Sequence, residues 1–294
     1  MTNLVAFDFE TTGLYPMKDK IIEIGAICFN PESISRQEPR RDDADDGIIK
    51  TFQTFVNPGL PIPQEVIAIH GITDEMVKNA PSGREALSTL LDFIGDSPLL
   101  AHNISFDVSF LMASAALYKI KPPSNLLIDT CELARICFRD VENHKLSTLG
   151  RYLNIVCPSI KAFAGSNEQS GYHRALADSY VVMKLYKMCL DRLDSKITID
   201  DVALRSTGGL RFDDYIFDKI EIPPDKIALK KAIEQSIPIE ITYRNNKGEE
   251  TQRWITPFNI FSFRGKTYLA AHCHQVDEIR QFRLDRICEV ISCK

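Results

Sequence analysis

Val5-Ala6-Phe7-Asp8-Phe9-Glu10-Thr11-Thr12-Gly13 reads as a buried strand that ends in a Thr/Gly loop. Side chains alternate across a strand, so Asp8 and Glu10 share one face while Phe7 and Phe9 take the other. Two carboxylates side by side on a buried strand repel each other and resist leaving water. A divalent cation is the simplest partner that relieves both costs.

Working outward, residues 3–9, 21–29 and 49–56 read as three strands, the second rich in β-branched residues. Pro31 to Gly47 between them is polar and charged and reads as a surface loop. Ser82 to Phe93 has helical apolar spacing, with Leu87, Leu90, Leu91 and Ile94 on one side. A short strand at 98–102 passes into a helix from Ser105, its expected N-cap, to Tyr118. Residues 125–130 make a fifth strand, followed by a helix to about Phe138; Asn154 to Gly171 is loop-like, and His173 to about Leu190 is the last helix. Antiparallel strands followed by strand–helix alternation imply a mixed sheet covered by helices.

Three further positions carry chemistry. Asp107, in His102-Asn103-Ile104-Ser105-Phe106-Asp107, falls in the first turn of its helix, where the helix dipole favours negative charge. His173 and Asp178 lie in His173-Arg174-Ala175-Leu176-Ala177-Asp178. Singly, each is equally a helix-start or solvated-face residue. Together, Asp8-x-Glu10-Thr11-Thr12-Gly13-Leu14, His102-Asn103-x-x-Phe106-Asp107 and His173-x-Ala175-x-x-Asp178 resemble the DEDDh branch of the DnaQ-like 3′–5′ exonucleases, the group that contains the proofreading subunit of bacterial replicative polymerase. His70-Gly71-Ile72-Thr73 is similar to the segment that follows the family's third strand. The resemblance covers residues 3–190 and implies an RNase H-like α/β fold, a five-stranded mixed sheet with flanking helices.

A phosphodiester is anionic and water is a poor nucleophile at neutral pH, so two ions about 4 Å apart can serve both the attacking and the leaving oxygen. Oxygen-only ligands suit Mg²⁺ or Mn²⁺. By resemblance, Asp8 bridges both ions, Glu10 and Asp178 complete the site nearer the attacking water, and Asp107 supports the other ion. His173 is then the general base, its ordinary pKa near 6.5 suiting that work. The resemblance gives Thr11, Thr12, Gly13 and Leu14 to the terminal nucleotide, with His70, Asn103 and Phe106 on the substrate side. Leu14 reads equally as a core residue, and Phe106 reads as core before it reads as a platform for a base.

Residues 191–223 weaken in pattern, punctuated by Gly208-Gly209 and Pro223-Pro224, and read as a linker. Residues 224–294 read as a small module: a helix to about Gln235, then strands at 237–243, 251–263, 266–274 and 279–285, with Asn245-Asn246-Lys247-Gly248 as a hairpin turn. Ile239 to Arg244, Lys266 to His272 and Arg280-Gln281-Phe282-Arg283-Leu284-Asp285-Arg286-Ile287 resemble a WYL domain, an SH3-like β-barrel, although Thr267 stands where the family's tryptophan precedes Tyr268-Leu269. The resemblance carries a basic and aromatic pocket onto Arg253, Tyr268, His272, Arg280, Arg283 and Arg286, for nucleic acid or a nucleotide-like ligand.

The net charge of −5 is uneven: residues 223–294 hold 12 Lys or Arg against 9 Asp or Glu, whereas residues 1–222 hold 23 against 31. Global charge therefore excludes no nucleic-acid partner. With 44% hydrophobic and 26% charged residues, the composition is that of an ordinary globular protein. Runs long enough for a membrane span are missing, Met1-Thr2-Asn3 leads straight into a strand rather than a secretory signal, and the eight cysteines form no CxxC pair. The expectation is a cytoplasmic protein with reduced thiols.

The sequence thus predicts a metal-dependent exonuclease, residues 1–190, joined to a WYL-like module, acting on DNA 3′ ends in single strands. An exoribonuclease is the alternative within enzymes, and a ligand-sensing regulator with a scaffold-only nuclease domain is the rival from another class. A homo-oligomer and the pathway (proofreading, repair or anti-phage defence) stay open.

Overall fold

The apolar run that opens the chain becomes the middle strand of a mixed sheet in the computed structural model, which describes residues 2–32, 47–156, 174–214, 220–263 and 266–291. In chain order the first unit holds β1 (Leu4–Thr11), β2 (Ile21–Phe29), β3 (Ile48–Phe55), α1 (Gln64–His70), α2 (Asp74–Val77), α3 (Gly83–Ile94), β4 (Leu99–Ala101), α4 (Ser105–Tyr118), β5 (Leu127–Asp129), α5 (Thr130–Cys137), α6 (Leu146–Tyr152), α7 (Ala175–Leu190) and α8 (Ile199–Thr207). The sheet order is β3-β2-β1-β4-β5. β1 pairs antiparallel with β2 and parallel with β4, and β4 pairs parallel with β5.

The two faces of β1 diverge as the alternation requires. Leu4 and Ala6 join Ile27 and Phe29 of β2 in a core closed by Val181, Val182, Met183, Leu185 and Tyr186 of α7. Each such large apolar side chain withdrawn from water contributes about 1.5–3 kcal/mol. On the opposite face Phe7 and Phe9 meet edge to face at 5.4 Å, and Ile24 lines a small cleft with Leu87 of α3 and Tyr118 of α4. Asp8 and Glu10 therefore look toward the α7 side.

Several boundaries differ from the sequence reading. α4 does begin at Ser105, but as its first helical residue: Ile104 already has helical backbone and gives no side-chain cap. The turn leading into the helix is held from another element: the Asp129 carboxylate accepts the Asn103 amide at 3.0 Å and the Ile104 amide at 3.2 Å, while Asn103 takes a left-handed φ of 63°. α8 falls within the stretch that reads as linker. It carries a capping box between Thr198 and Asp201, and Val202 and Ala203 are wholly buried in the first unit's core. Compactness divides the chain into residues 1–13 with 20–212, and 14–19 with 213–294. Most of the expected loops at 31–47 and at 154–171 lies outside the described residues.

The second unit contains α9 (Ile227–Gln235), β6 (Ile239–Arg244), β7 (Glu250–Phe263), β8 (Lys266–Cys273), β9 (Glu278–Arg283) and β10 (Ile287–Ile291). Leu229 and Ala232 of α9 pack with Ile239, Ile241, Ile255, Leu269, Ala271 and Phe282. Gly248 takes φ 85° and its amide reaches the Asn245 carbonyl at 3.1 Å, the turn expected at 245–248. The sheet order is β10-β6-β7-β8-β9, all antiparallel. The barrel read from the sequence is not closed: β9 and β10 are edges of an open sheet. Closure depends on strand tilt and shear around the whole ring, which no local pattern specifies.

Candidate active site

Asp8 and Glu10 leave the middle strand on one face, and α7 brings Asp178 to them. Ligand oxygens of the three carboxylates all lie within 4.8 Å of one another. Burial, then repulsion from Asp107, Asp178, Glu10 and Glu23, raises Asp8 well above the ordinary carboxylate range. Burial, then Asp178, Glu23 and Asp107, pushes Glu10 up to about 9, with Arg174 opposing. A hard dication fits this donor set: it takes oxygen ligands, and its charge offsets the repulsion that otherwise holds protons on these groups.

Asp107 arrives from the other flank of β1. It sits in the first turn of α4, 2% exposed, and accepts the Phe9 amide at 3.2 Å. Burial raises its pKa while that amide lowers it. This carboxylate is thus tied to the backbone between Asp8 and Glu10. The structure brings Asp8, Glu10 and Asp178 within ligand distance and sets Asp107 beside them through the strand backbone. His173, read as the base, lies outside the described residues.

The loop after β1 is shaped by its own hydroxyls. Thr11 Oγ1 donates to the Gly13 carbonyl at 2.6 Å, and Thr12 Oγ1 accepts the Lys20 amide at 3.0 Å while the Thr12 amide donates to the Lys20 carbonyl at 2.8 Å. Leu14 is 38% exposed, so it is not a core residue. Phe106 is half-buried against Phe110, ring centroids 5.0 Å apart. His70 is buried, and its Nδ1 accepts the Ile72 amide at 2.9 Å, which shapes the turn after α1.

Glu23, Arg174, Gly25 and Asp129 hold the site or its approaches and are not among the residues the motifs single out. Glu23 is wholly buried, faces Glu10 across the β1–β2 ladder and pairs with Arg174 at 2.8 Å. Gly25 lies opposite Asp8, and a Cβ there would stand 2.2 Å from the Ala175 backbone. Asp129 is buried, its pKa pushed up to about 7 by burial against its hydrogen bonds. The readable signal was a lone carboxylate and a glycine inside the apolar run Ile21-Ile22-Glu23-Ile24-Gly25-Ala26-Ile27.

In the second unit Tyr268 stacks on Phe261 at 5.5 Å and lies opposite Arg283 across β8 and β9. Arg283 also binds Asp285 at 3.0 Å. His272 pairs with Asp277 at 3.1 Å and meets His274 edge to face at 4.9 Å. Arg280 pairs with Glu278 at 3.3 Å, Arg253 donates to Thr251 Oγ1 at 3.2 Å, and Arg286 reaches Asn246. Strand alternation puts Tyr268, His272 and Arg283 on one face and Arg280 on the face of buried Phe282. Four of the six positions read as one pocket are therefore divided between two faces.

Comparison with known proteins matches two separate stretches of the chain. Residues 5–186 match a family model described as exonuclease, RNase T type, and residues 227–291 match the WYL domain. The DNA polymerase III PolC-type of Caldanaerobacter subterraneus subsp. tengcongensis is 34% identical over 189 residues, 64% of this chain and 12% of that protein. The PolC-type enzyme of Bacillus subtilis is 34% identical over 188 residues, 62% of this chain and 11% of the other. The chain thus spans about an eighth of the length of these relatives. Escherichia coli exonuclease I, solved with a dA16 oligonucleotide, shares the fold at a TM-score of 0.52 and 15% identity, over 92% of this chain and 55% of that one. No helix among the described residues is long and apolar enough to cross a membrane.

Proposed function

The chain belongs to the exonuclease family that residues 5–186 match, and on that premise we propose that it hydrolyses DNA from the 3′ end, releasing nucleoside 5′-monophosphates. The observation that carries this reading is the meeting of Asp8, Glu10 and Asp178 within 4.8 Å. Held by these three and Asp107, two ions of Mg²⁺ or Mn²⁺ would supply charge to the scissile phosphate and lower the pKa of the attacking water.

The chain's own residues do the rest. His173 is the proposed base that takes the water's proton, and it immediately precedes Arg174, whose guanidinium is fixed on Glu23 at 2.8 Å. The Thr11-Thr12-Gly13 loop, braced by its own hydroxyls, and the exposed Leu14 would receive the terminal nucleotide, with His70, Asn103 and Phe106 beside it. DNA is proposed over RNA because the PolC-type relatives are named as DNA polymerases.

For the second unit we propose a grip on substrate or on a nucleotide-like ligand. The face shared by Tyr268, His272 and Arg283 supports it: an aromatic ring and a guanidinium are side-by-side partners for a base and a phosphate. Such a module favours repair or anti-phage defence as the context.

The test is digestion of a 3′-labelled single-stranded oligonucleotide with Mg²⁺ or Mn²⁺. Mononucleotide release that stops in EDTA and with a blocked 3′ hydroxyl is the expected result. Undiminished release from the blocked substrate would contradict the polarity, and undiminished release in EDTA the role of the carboxylates.

A further inference from the structure

Asp178 reaches the other carboxylates only as accurately as α7 is placed, and the first turn of α7 is tied to β2 through one side chain. Glu23 Oε1 accepts Arg174 Nη2 at 2.8 Å and Gln53 Nε2 at 2.8 Å. Its Oε2 accepts Arg174 Nε at 3.1 Å and the Ala175 amide at 3.1 Å. One buried carboxylate thus holds a forked guanidinium, a backbone amide of the helix start and a side chain of β3.

The anchored turn is the one that presents Asp178. The Asp178 amide donates to the Arg174 carbonyl at 3.0 Å, so the residue gripped by Glu23 is one helical turn before the proposed ligand. A second tie sets rotation and height: Ser179 Oγ donates to the Gly25 carbonyl at 3.0 Å, and the bare Cα of Gly25 lets the Ala175 backbone approach. Glu23 and Gly25 are the register partners of Glu10 and Asp8. The strand pair therefore carries two ligands on one strand and the seat of the third ligand's helix on the other.

We propose that Glu23 is a positioning residue of the site, setting through Arg174 and the Ala175 amide the distance of Asp178 from Asp8 and Glu10. This inference rests on the reading of those three carboxylates as the ion-holding set. A forked guanidinium–carboxylate pair fixes direction as well as distance, which a point charge does not. Side chains that orient metal ligands from behind change metal affinity by about 10- to 100-fold when removed.

The experiment uses the full chain with Glu23→Gln, which keeps the shape and the acceptor for Ala175 but removes the charge. Mn²⁺ affinity is read by calorimetry, and hydrogen exchange is followed along α7. Kinetics on a 3′-labelled oligonucleotide separate kcat from KM. The expected result is Mn²⁺ affinity lowered about tenfold or more, with faster exchange confined to residues 175–179. The kcat should fall with KM unchanged and recover in part at high Mn²⁺. Where Glu23→Gln does not fold, Arg174→Lys replaces it, keeping the charge and losing the fork, with the same expectations. A folded variant with wild-type Mn²⁺ affinity overturns the proposal. So does an effect on KM alone, which would make Arg174 a substrate contact. Failure of the underlying reading shows separately: wild-type Mn²⁺ affinity in Asp8→Asn would overturn the site itself and the inference with it.

Discussion

Asp8 and Gly25 are register partners across β1 and β2, so the strand pair offers a carboxylate and, beside it on the same face, a place with no side chain at all. That gap is filled by the backbone of α7 at Ala175 and Leu176. The glycine is needed for close approach rather than for an unusual backbone angle.

Gly25→Ala should therefore lift α7 from the sheet. A Cβ at 2.2 Å from backbone atoms finds no flexible neighbour to give way, and the loss of stability should reach about 3 kcal/mol, the upper part of the range for overpacking. Urea unfolding measures it. A midpoint equal to wild type would show that the helix can shift freely.

Replacing a ligand should separate activity from stability. Asp8→Asn should lower kcat about a thousand-fold, equivalent to about 4 kcal/mol of transition-state stabilisation. In EDTA the same substitution should raise the melting temperature, because the metal-free fold must otherwise protonate this buried carboxyl or hold its charge against its neighbours, and an amide needs neither. A lower melting temperature in EDTA would mean that the carboxylate stabilises the fold without a cation.

The pH dependence follows from the raised pKa values. Glu10 titrates near 9 in the folded chain and near the ordinary 4.3 when unfolded. The folded state thus binds more protons, and metal-free stability should fall as pH rises from about 5 toward 9. A bound dication replaces those protons, so the rise in melting temperature produced by Mg²⁺ should grow across that window. Thermal melts at pH 6, 7.5 and 9, with Mg²⁺ and with EDTA, check the sign; a rise independent of pH would count against these carboxylates as ligands.

Asp129 should prove structural and costly to remove. It accepts the Asn103 and Cys131 amides on one oxygen and the Ile104 amide on the other. Asp129→Ala leaves three amides without that acceptor, a loss of about 3 kcal/mol or more. Asp129→Asn keeps one acceptor oxygen and should lose about 1 kcal/mol. Equal losses for both, by urea unfolding, would point to the charge rather than the hydrogen bonds.

Much of this architecture was legible because it is written locally. Alternation in β1 gave the shared face of Asp8 and Glu10, and apolar runs marked β2 and α7. Relations between distant segments were not legible. Nothing around Ser105 reveals that Asp129 would hold the Asn103 and Ile104 amides, and nothing around Glu23 reveals Arg174, 151 residues away. α1, α2 and α6 are too short for a helical period to register. In the second unit, Arg280 and Arg283 read together as one basic pocket, although alternation over three residues of a strand already sets them on opposite faces, as β9 has them. Whether the strands closed into a barrel depended on geometry at both edges, which composition does not encode.

The middle position of β1 also has a consequence for how activity would appear during refolding. Its ladder with β2 joins neighbours in the chain, but its parallel pairing with β4 spans about ninety residues, and Asp178 must travel farther still. Contacts between remote segments carry the largest loop-closure cost and form late. Helical signal and compactness should therefore return before the carboxylates can act together, and the nuclease should be the last property the chain regains.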